Sequence, residues 1–232
     1  MKLPMMALLL GSMASSGANA EVVVFDYTAV VSSVTENRVP VDSFVIDGKT
    51  ITSGYTLRGS FTIDLATPVY EANPDNPSSN SYGHYRGSVG NVANVTVEET
   101  GFHFQSAPSS PYSSGFTVVN SDRGDSFFYE SGGLAFSGAN NRFEYLIVDI
   151  SDTTGLLLSH ARPPTQLSID GAGNATARYY VSLFETSKYY DATAQLTSLQ
   201  LHVTPVPEPQ TYPMLGIGLL AVGACARRRR RT

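Results

Sequence analysis

The chain has no tryptophan, and its single cysteine, Cys225, lies in the last stretch of the sequence. No disulfide can brace the region before it, which must be stabilised by a core of Phe, Tyr, Val and Leu, and a chain of this length can build one. Apolar residues do not recur at a helical period through the middle of the chain, and no segment repeats at a fixed spacing, which disfavours a solenoid or propeller. Catalytic signatures are missing too: there is no Gly-x-Ser-x-Gly elbow, no His-Glu-x-x-His and no phosphate-cradling glycine loop. The expectation is therefore a protein that is not an enzyme, with a hydrolase of unrecognised site as an alternative. Basic residues are few and badly placed for nucleic acid. Setting aside Lys2 and five arginines at the far end, nine of the fifteen Lys and Arg remain against twenty Asp and Glu. A region of net charge near −11 repels phosphate backbones, so no nucleic-acid partner is expected.

What is present begins at the two ends. Met1-Lys2 supplies a positive charge, Met5 to Leu10 an apolar core, and Ala18-Asn19-Ala20 small residues where a signal peptidase reads. This is the order of a secretory signal peptide, with cleavage between Ala20 and Glu21. Gly11, Ser15, Ser16 and Gly17 would end a buried helix too early for the competing reading. At the other end Tyr212 to Ala226 is uncharged and mostly apolar, and Arg227, Arg228, Arg229, Arg230 and Arg231 follow directly. Fifteen helical residues reach about 22 Å, short of the roughly 30 Å hydrocarbon core, so this span would rely on snorkelling arginine stems. The arginines place that end in the cytoplasm and the bulk of the chain outside the inner membrane.

Val206-Pro207-Glu208-Pro209 directly precedes the apolar stretch. Pro-Glu-Pro, short apolar helix and arginine cluster, in that order, resemble the PEP-CTERM sorting signal of Gram-negative bacteria. The resemblance implies that Pro207, Glu208 and Pro209 are recognised by exosortase, a membrane transpeptidase that cleaves near them and releases or re-attaches the protein at the surface. The prolines would hold such a substrate extended and unpaired, although a stiff spacer would look the same. Many PEP-CTERM proteins also carry a strand like Gly59-Ser60-Phe61-Thr62-Ile63-Asp64 followed by Thr67-Pro68. The resemblance supplies an address and no activity.

Three regions follow: a signal peptide (1–20), an extracytoplasmic domain (21–205) and a sorting and anchor tail (206–232). In the domain, Leu57, Phe61, Ile63 and Leu65 alternate with polar residues, and Leu199, Leu201 and Val203 do the same. Less regular strands are expected near 22–31, 92–97, 102–105, 116–119, 126–130, 143–150 and 177–184, with turn-rich stretches between. About nine strands with polar turns point to an all-β, antiparallel two-sheet sandwich, jelly-roll-like, with the signal peptide before it and one short transmembrane helix after it.

Candidate chemistry in the domain is thin. His84 is expected in a loop, and His103 and His202 are expected to face solvent from strands. Glu98 and Glu99, or Asp149 and Asp152, are the nearest carboxylate pairs, but neighbours on a strand point to opposite faces. The loops Asp122–Asp125 and Ile150–Gly155 have the residue types that bind calcium, without EF-hand or RTX spacing; ordinary Asx turns compete, and no cofactor or metal site is assigned. Arg123-Gly124-Asp125 matches an adhesion tripeptide, a match short enough to arise by chance. Tyr82, Tyr85, Tyr112, Tyr189 and Tyr190, in loops or at strand ends, could stack on sugar rings. The expected function is an exported surface or extracellular-matrix protein, with an exopolysaccharide-binding module as the alternative. The expected partners are signal peptidase, exosortase, the inner membrane before processing, and exopolysaccharide.

Overall fold

The computed structural model describes residues 22–72, 80–106, 113–137, 140–155 and 157–202. The signal peptide, the Ala20–Glu21 cleavage point, Tyr112, Cys225 and the whole sorting tail lie outside them. Every regular element among the described residues is a strand, and no helix there is long and apolar enough to cross a membrane. The strands are β1 (Val22–Glu36), β2 (Val39–Pro40), β3 (Ser43–Ile46), β4 (Lys49–Thr52), β5 (Thr56–Asp64), β6 (Val69–Ala72) and β7 (Asn80–Arg86). They continue as β8 (Ala93–Val97), β9 (Phe102–Gln105), β10 (Ser114–Ser121), β11 (Ser126–Ser137), β12 (Asn140–Ser151), β13 (Asn174–Leu183) and β14 (Lys188–His202).

All pairings are antiparallel, and one hydrogen-bonded path runs β6-β7-β10-β11-β12-β13-β14-β1-β5-β8-β9, with β2 beside β1. The path folds back on itself. Phe61 on β5 stacks on its neighbour Phe25 of β1 at 5.2 Å between ring centroids and also meets Tyr129 of β11 at 4.9 Å. Phe102 and Phe104 of β9 pack on Tyr179 of β13 at 5.2 and 5.6 Å. Strands β5, β8 and β9 thus lie over β11, β12 and β13, and one continuous sheet supplies both layers of the core. Phe25, Phe61, Phe127, Tyr129, Leu146 and Val148 are completely buried between them.

The long central pair β1–β14 makes the turn between layers by changing phase. Thr28 pairs with Ser198 but Ala29 pairs with Leu196, so Thr197 is an extra residue; Ser32 is a second one on β1. Each such bulge bends the strand and flips which side chains point inward. Before Thr197 the inward set on β14 is Ala192, Ala194 and Leu196. Beyond it the alternation passes to Leu199, which is half-buried, and Leu201, which faces the same side opposite Phe25 but is exposed at the strand end.

The alternation rule finds nine of the strands and misses β2, β3, β4, β6 and β7. The β3–β4 hairpin turns through Asp47 and Gly48, both with positive φ (52° and 72°). It is a separate two-stranded sheet whose Phe44, Ile46 and Ile51 are buried against the main one. Strand β7 contains Ser81-Tyr82-Gly83-His84-Tyr85-Arg86, which has the look of a loop. His84 is in fact a strand residue whose Nδ1 lies 3.0 Å from Thr117 Oγ1 on β10.

Candidate functional site

The strand motif of β5 builds the fold. Gly59 lacks a side chain because a Cβ there would fall 2.0 Å from the Asn94 carbonyl oxygen and 2.7 Å from the Tyr27 hydroxyl. Phe61 fills the centre of the core. Asp64 ends the strand: its Oδ1 accepts from Ala66 N at 2.9 Å, and its carbonyl accepts from Thr67 N at 3.0 Å. Fully buried Asn91 ties this turn down, accepting from Asp64 N at 2.9 Å and donating to Thr67 Oγ1 at 3.0 Å. The stretch from Gly59 to Thr67 is accounted for by packing and capping.

The two candidate calcium loops come together, but their carboxylates are spent on backbone. Asp125 Oδ1 accepts from Ser121 N (3.0 Å) and its Oδ2 from Leu158 N (2.7 Å). Asp152 Oδ1 accepts from Thr154 N and Gly155 N, each at 2.8 Å. Burial pushes the Asp152 carboxyl up, yet these N–H donors and that of Asp125 outweigh it, so its pKa lies below the usual range. Both loops are Asx-type turns, and among the described residues no three His, Cys, Asp or Glu converge as metal ligands. With Asp125 only 1 % exposed, Arg123-Gly124-Asp125 cannot present its carboxylate to a partner.

The carboxylate pairs and histidines also separate. Glu98 pairs with Arg58, while both Glu99 oxygens accept from Thr56 N at 2.9 Å. His103 and His202 do face solvent, the latter 2.8 Å from Asp26 Oδ2. Of the five tyrosines, Tyr82 is exposed, but Tyr85 points inward, stacks on Phe116 at 4.7 Å and donates to the Ala161 carbonyl at 2.8 Å. Tyr190 stacks on Phe44 of the hairpin at 5.0 Å. Among the described residues, Tyr82, Tyr85, Tyr189 and Tyr190 form no common platform.

Strand β12 carries two constellations that the sequence pattern does not reveal. Its inner face holds Arg142 and Glu144, 7 % and 3 % exposed. Arg142 grips Asp47 of the β3–β4 turn with two parallel hydrogen bonds of 2.7 and 2.6 Å, and its Nε lies 3.2 Å from Glu144 Oε1. Tyr179 donates its hydroxyl to the same Glu144 oxygen. The Arg142 hydrogen bonds hold the Asp47 carboxyl below the usual carboxylate range; burial, reinforced by Glu144, holds the Tyr179 phenol far above its own. Acid, phenol and guanidinium are directed at one another, an arrangement that clamps the hairpin onto the sheet.

The outer face of the same strand carries aromatics. Phe143 and Tyr145 meet edge to face at 4.2 Å, Tyr145 stands directly opposite Tyr180 of β13, and Tyr180 lies 5.9 Å from Tyr189 of β14. All four rings are half-buried, and they form a diagonal ribbon across β12, β13 and β14. The Tyr145 ring occupies the space left by Gly132, opposite it on β11: a Cβ there would fall 2.2 Å from Tyr145 Cδ1. Burial, with help from Glu130, raises the Tyr145 pKa, so the ring keeps its hydroxyl proton. Ion pairs flank the ribbon, Arg86–Glu130 at 2.7 Å on one side and Arg178–Asp191 on the other.

Strand β14 ends at His202, and residues 205–230 match the family model for the PEP-CTERM protein-sorting motif. The chain carries a PEP-CTERM sorting motif. No curated protein and no solved structure matches the chain. The PEP-CTERM match contains Pro207, Glu208 and Pro209 and runs into the arginine cluster. Two residues separate its start from the end of β14, so the PEP-CTERM motif follows the last strand almost at once.

Proposed function

We propose that this chain is a non-enzymatic surface or extracellular-matrix component of a Gram-negative bacterium. It leaves the cytoplasm through a signal peptide cleaved between Ala20 and Glu21. The apolar segment 212–226 and Arg227 to Arg231 then hold it in the inner membrane until exosortase acts at Pro207-Glu208-Pro209. The observation that carries this reading is the PEP-CTERM match at 205–230, which marks the protein for export and membrane-associated sorting. The exported part is a β-sandwich, a reading supported by the packing of β5, β8 and β9 over β11, β12 and β13. Among the described residues the carboxylates of Asp125 and Asp152 cap backbone N–H groups and that of Glu130 pairs with Arg86, which favours a binding or structural role over catalysis.

The test compares the native-host protein with a variant in which Pro207, Glu208 and Pro209 are all alanine, by intact mass and cell fractionation. The wild type should start at Glu21 and end near Pro209, and the variant should stay full-length in the membrane. A wild type that keeps Arg227 to Arg231 in the inner membrane overturns the processing step. A second reading, an exopolysaccharide-binding module, is favoured by the ring ribbon on β12–β14.

A further inference from the structure

At one end of β12 the sheet is inverted: charge is buried at Arg142 and Glu144 while Phe143 and Tyr145 are turned outward. A sheet gains stability by burying aromatics and exposing charge, so a reversal of that pattern is where a function is expected to sit. We infer that the ribbon Phe143–Tyr145–Tyr180–Tyr189 is a stacking platform for an uncharged pyranose chain. This rests on the exopolysaccharide reading and assigns it a site and a ligand chemistry.

Three features select the occupant. The Tyr145 ring lies over Gly132, which has no side chain, Phe143 meets it edge to face, and Tyr180 and Tyr189 are tilted by 34° to one another, so the ribbon offers a stepped row of ring faces and edges to the apolar C–H faces of successive sugar units. Three of the four rings carry hydroxyls, and the neighbouring Arg178, Asp191, Arg86 and Glu130 supply donors and acceptors beside them, as pyranose hydroxyls require. The charges next to the ribbon are largely paired, with Asp149 beside Arg178 as an additional carboxylate. Arg86–Glu130, Arg178–Asp191 and Lys188–Glu36 at 2.6 Å are matched pairs, within a chain that is strongly acidic outside its tail. Such a face suits a neutral polymer, whereas a polyuronate would meet the field of the surrounding carboxylates. The ribbon also sits at the correct end. Tyr189 is the second residue of β14 and His202 its last, up to about 40 Å apart along the strand at about 3.3 Å per residue, so the platform and the point where the chain leaves for the sorting motif lie at opposite ends of β14.

The experiment uses the full chain in detergent micelles, with affinity electrophoresis and titration against soluble β-glucan, galactomannan and dextran as uncharged probes and alginate as the anionic one. Because the protein has no tryptophan, the near-ultraviolet tyrosine difference spectrum reports stacking directly. The expected result is binding to at least one uncharged probe, weakened about tenfold or more in Tyr145→Ala and in Tyr180→Ala. Tyr145→Phe and Tyr180→Phe should retain most of the binding, and thermal melts should confirm that all four variants fold. Binding that survives both alanine changes overturns the site while leaving the exopolysaccharide reading standing. Preference for alginate overturns the uncharged chemistry. Absence of binding to all four probes overturns the site and the exopolysaccharide reading together, and leaves export and sorting untouched.

Discussion

Tyr179 and Tyr180 are neighbours on β13 and have opposite roles. Tyr179 points inward, is 1 % exposed, packs against Phe102 and Phe104 and donates its hydroxyl to buried Glu144. Tyr180 points outward, opposite Tyr145 and beside Tyr189, with solvent over its ring. The same residue type, one step apart, serves cohesion on one face and, in the proposed platform, recognition on the other. Strand alternation makes this separation possible, and it implies that changes on the two faces should affect different measurements.

The sharpest way to break the inner face is Arg142→Ala. It strands Glu144 without its cation and frees the hairpin tip at Asp47, and should cost about 3–5 kcal/mol in denaturant unfolding. The pH profile should change with it. The folded pKa of Asp47 is depressed by Arg142, so its contribution is present above the unfolded carboxylate value of about 3.9 and is lost as pH falls through the folded value. In Arg142→Ala the acid limb of the stability curve should be flatter. A next test joins the faces. Gly132→Ala places a Cβ 2.3 Å from the Glu144 carbonyl as well as against the Tyr145 ring, and should destabilise by about 1–3 kcal/mol while displacing that ring.

The comparison is sharpened most directly by removing one hydroxyl at a time. Tyr179→Phe leaves the Glu144 carboxylate short of a buried donor and should cost about 1–3 kcal/mol, whereas Tyr180→Phe should change stability by less than about 0.5 kcal/mol. Equal losses would mean that the outer ring is structural. The smallest effect is expected from Asp149→Asn on the outer face. Burial raises the Asp149 pKa, only partly offset by Arg178, so the folded state holds its proton longer than the unfolded chain. That group therefore lowers stability as pH rises from about 3.9 through its folded value. The variant should be slightly more stable at neutral pH, by well under about 1 kcal/mol, and indistinguishable below pH about 3.9.

The sequence discloses the strands whose two faces differ cleanly. Phe61 and Ile63 alternate with Ser60 and Thr62, and β5 is where the pattern places it; β9 is found to the residue. Strand β7 is hidden because its inward positions include Ser81 and Gly83, the latter small because a Cβ would strike the Ala161 carbonyl at 2.6 Å. The β3–β4 hairpin had a signal, Asp47-Gly48 between Phe44, Ile46 and Ile51, the turn pair expected of a tight hairpin. Of the ribbon only Tyr189 was legible, as a strand-end tyrosine. Along β12 both faces carry apolar residues, and Arg142 and Glu144 fall on the inner one while Phe143 and Tyr145 fall on the outer one, so periodicity alone assigns Tyr145 and Glu144 to the wrong sides. Only the partners decide: Asp47 lies 95 residues from Arg142, and Gly132 stands opposite Tyr145 on the preceding strand. The sorting motif is the reverse case, since its meaning is carried by the linear order of Pro207-Glu208-Pro209, apolar stretch and arginines and requires no tertiary structure.

The path of β14 has a mechanical consequence. The strand begins at the ring ribbon and ends where the sorting motif follows, and along its length it is bonded to β13 on one side and β1 on the other. A ligand that also grips Tyr145 on β12 and Tyr180 on β13 would load those strands, so a pull against an attachment beyond His202 would have to pass into β14 across the ladder, parallel to the strands. Antiparallel hydrogen bonds lie across the strand direction, so that load shears many of them at once and cannot peel them one by one. A domain tethered by its C-terminal strand and gripping at the far end of that strand and of the strands beside it would resist tension along its strongest axis.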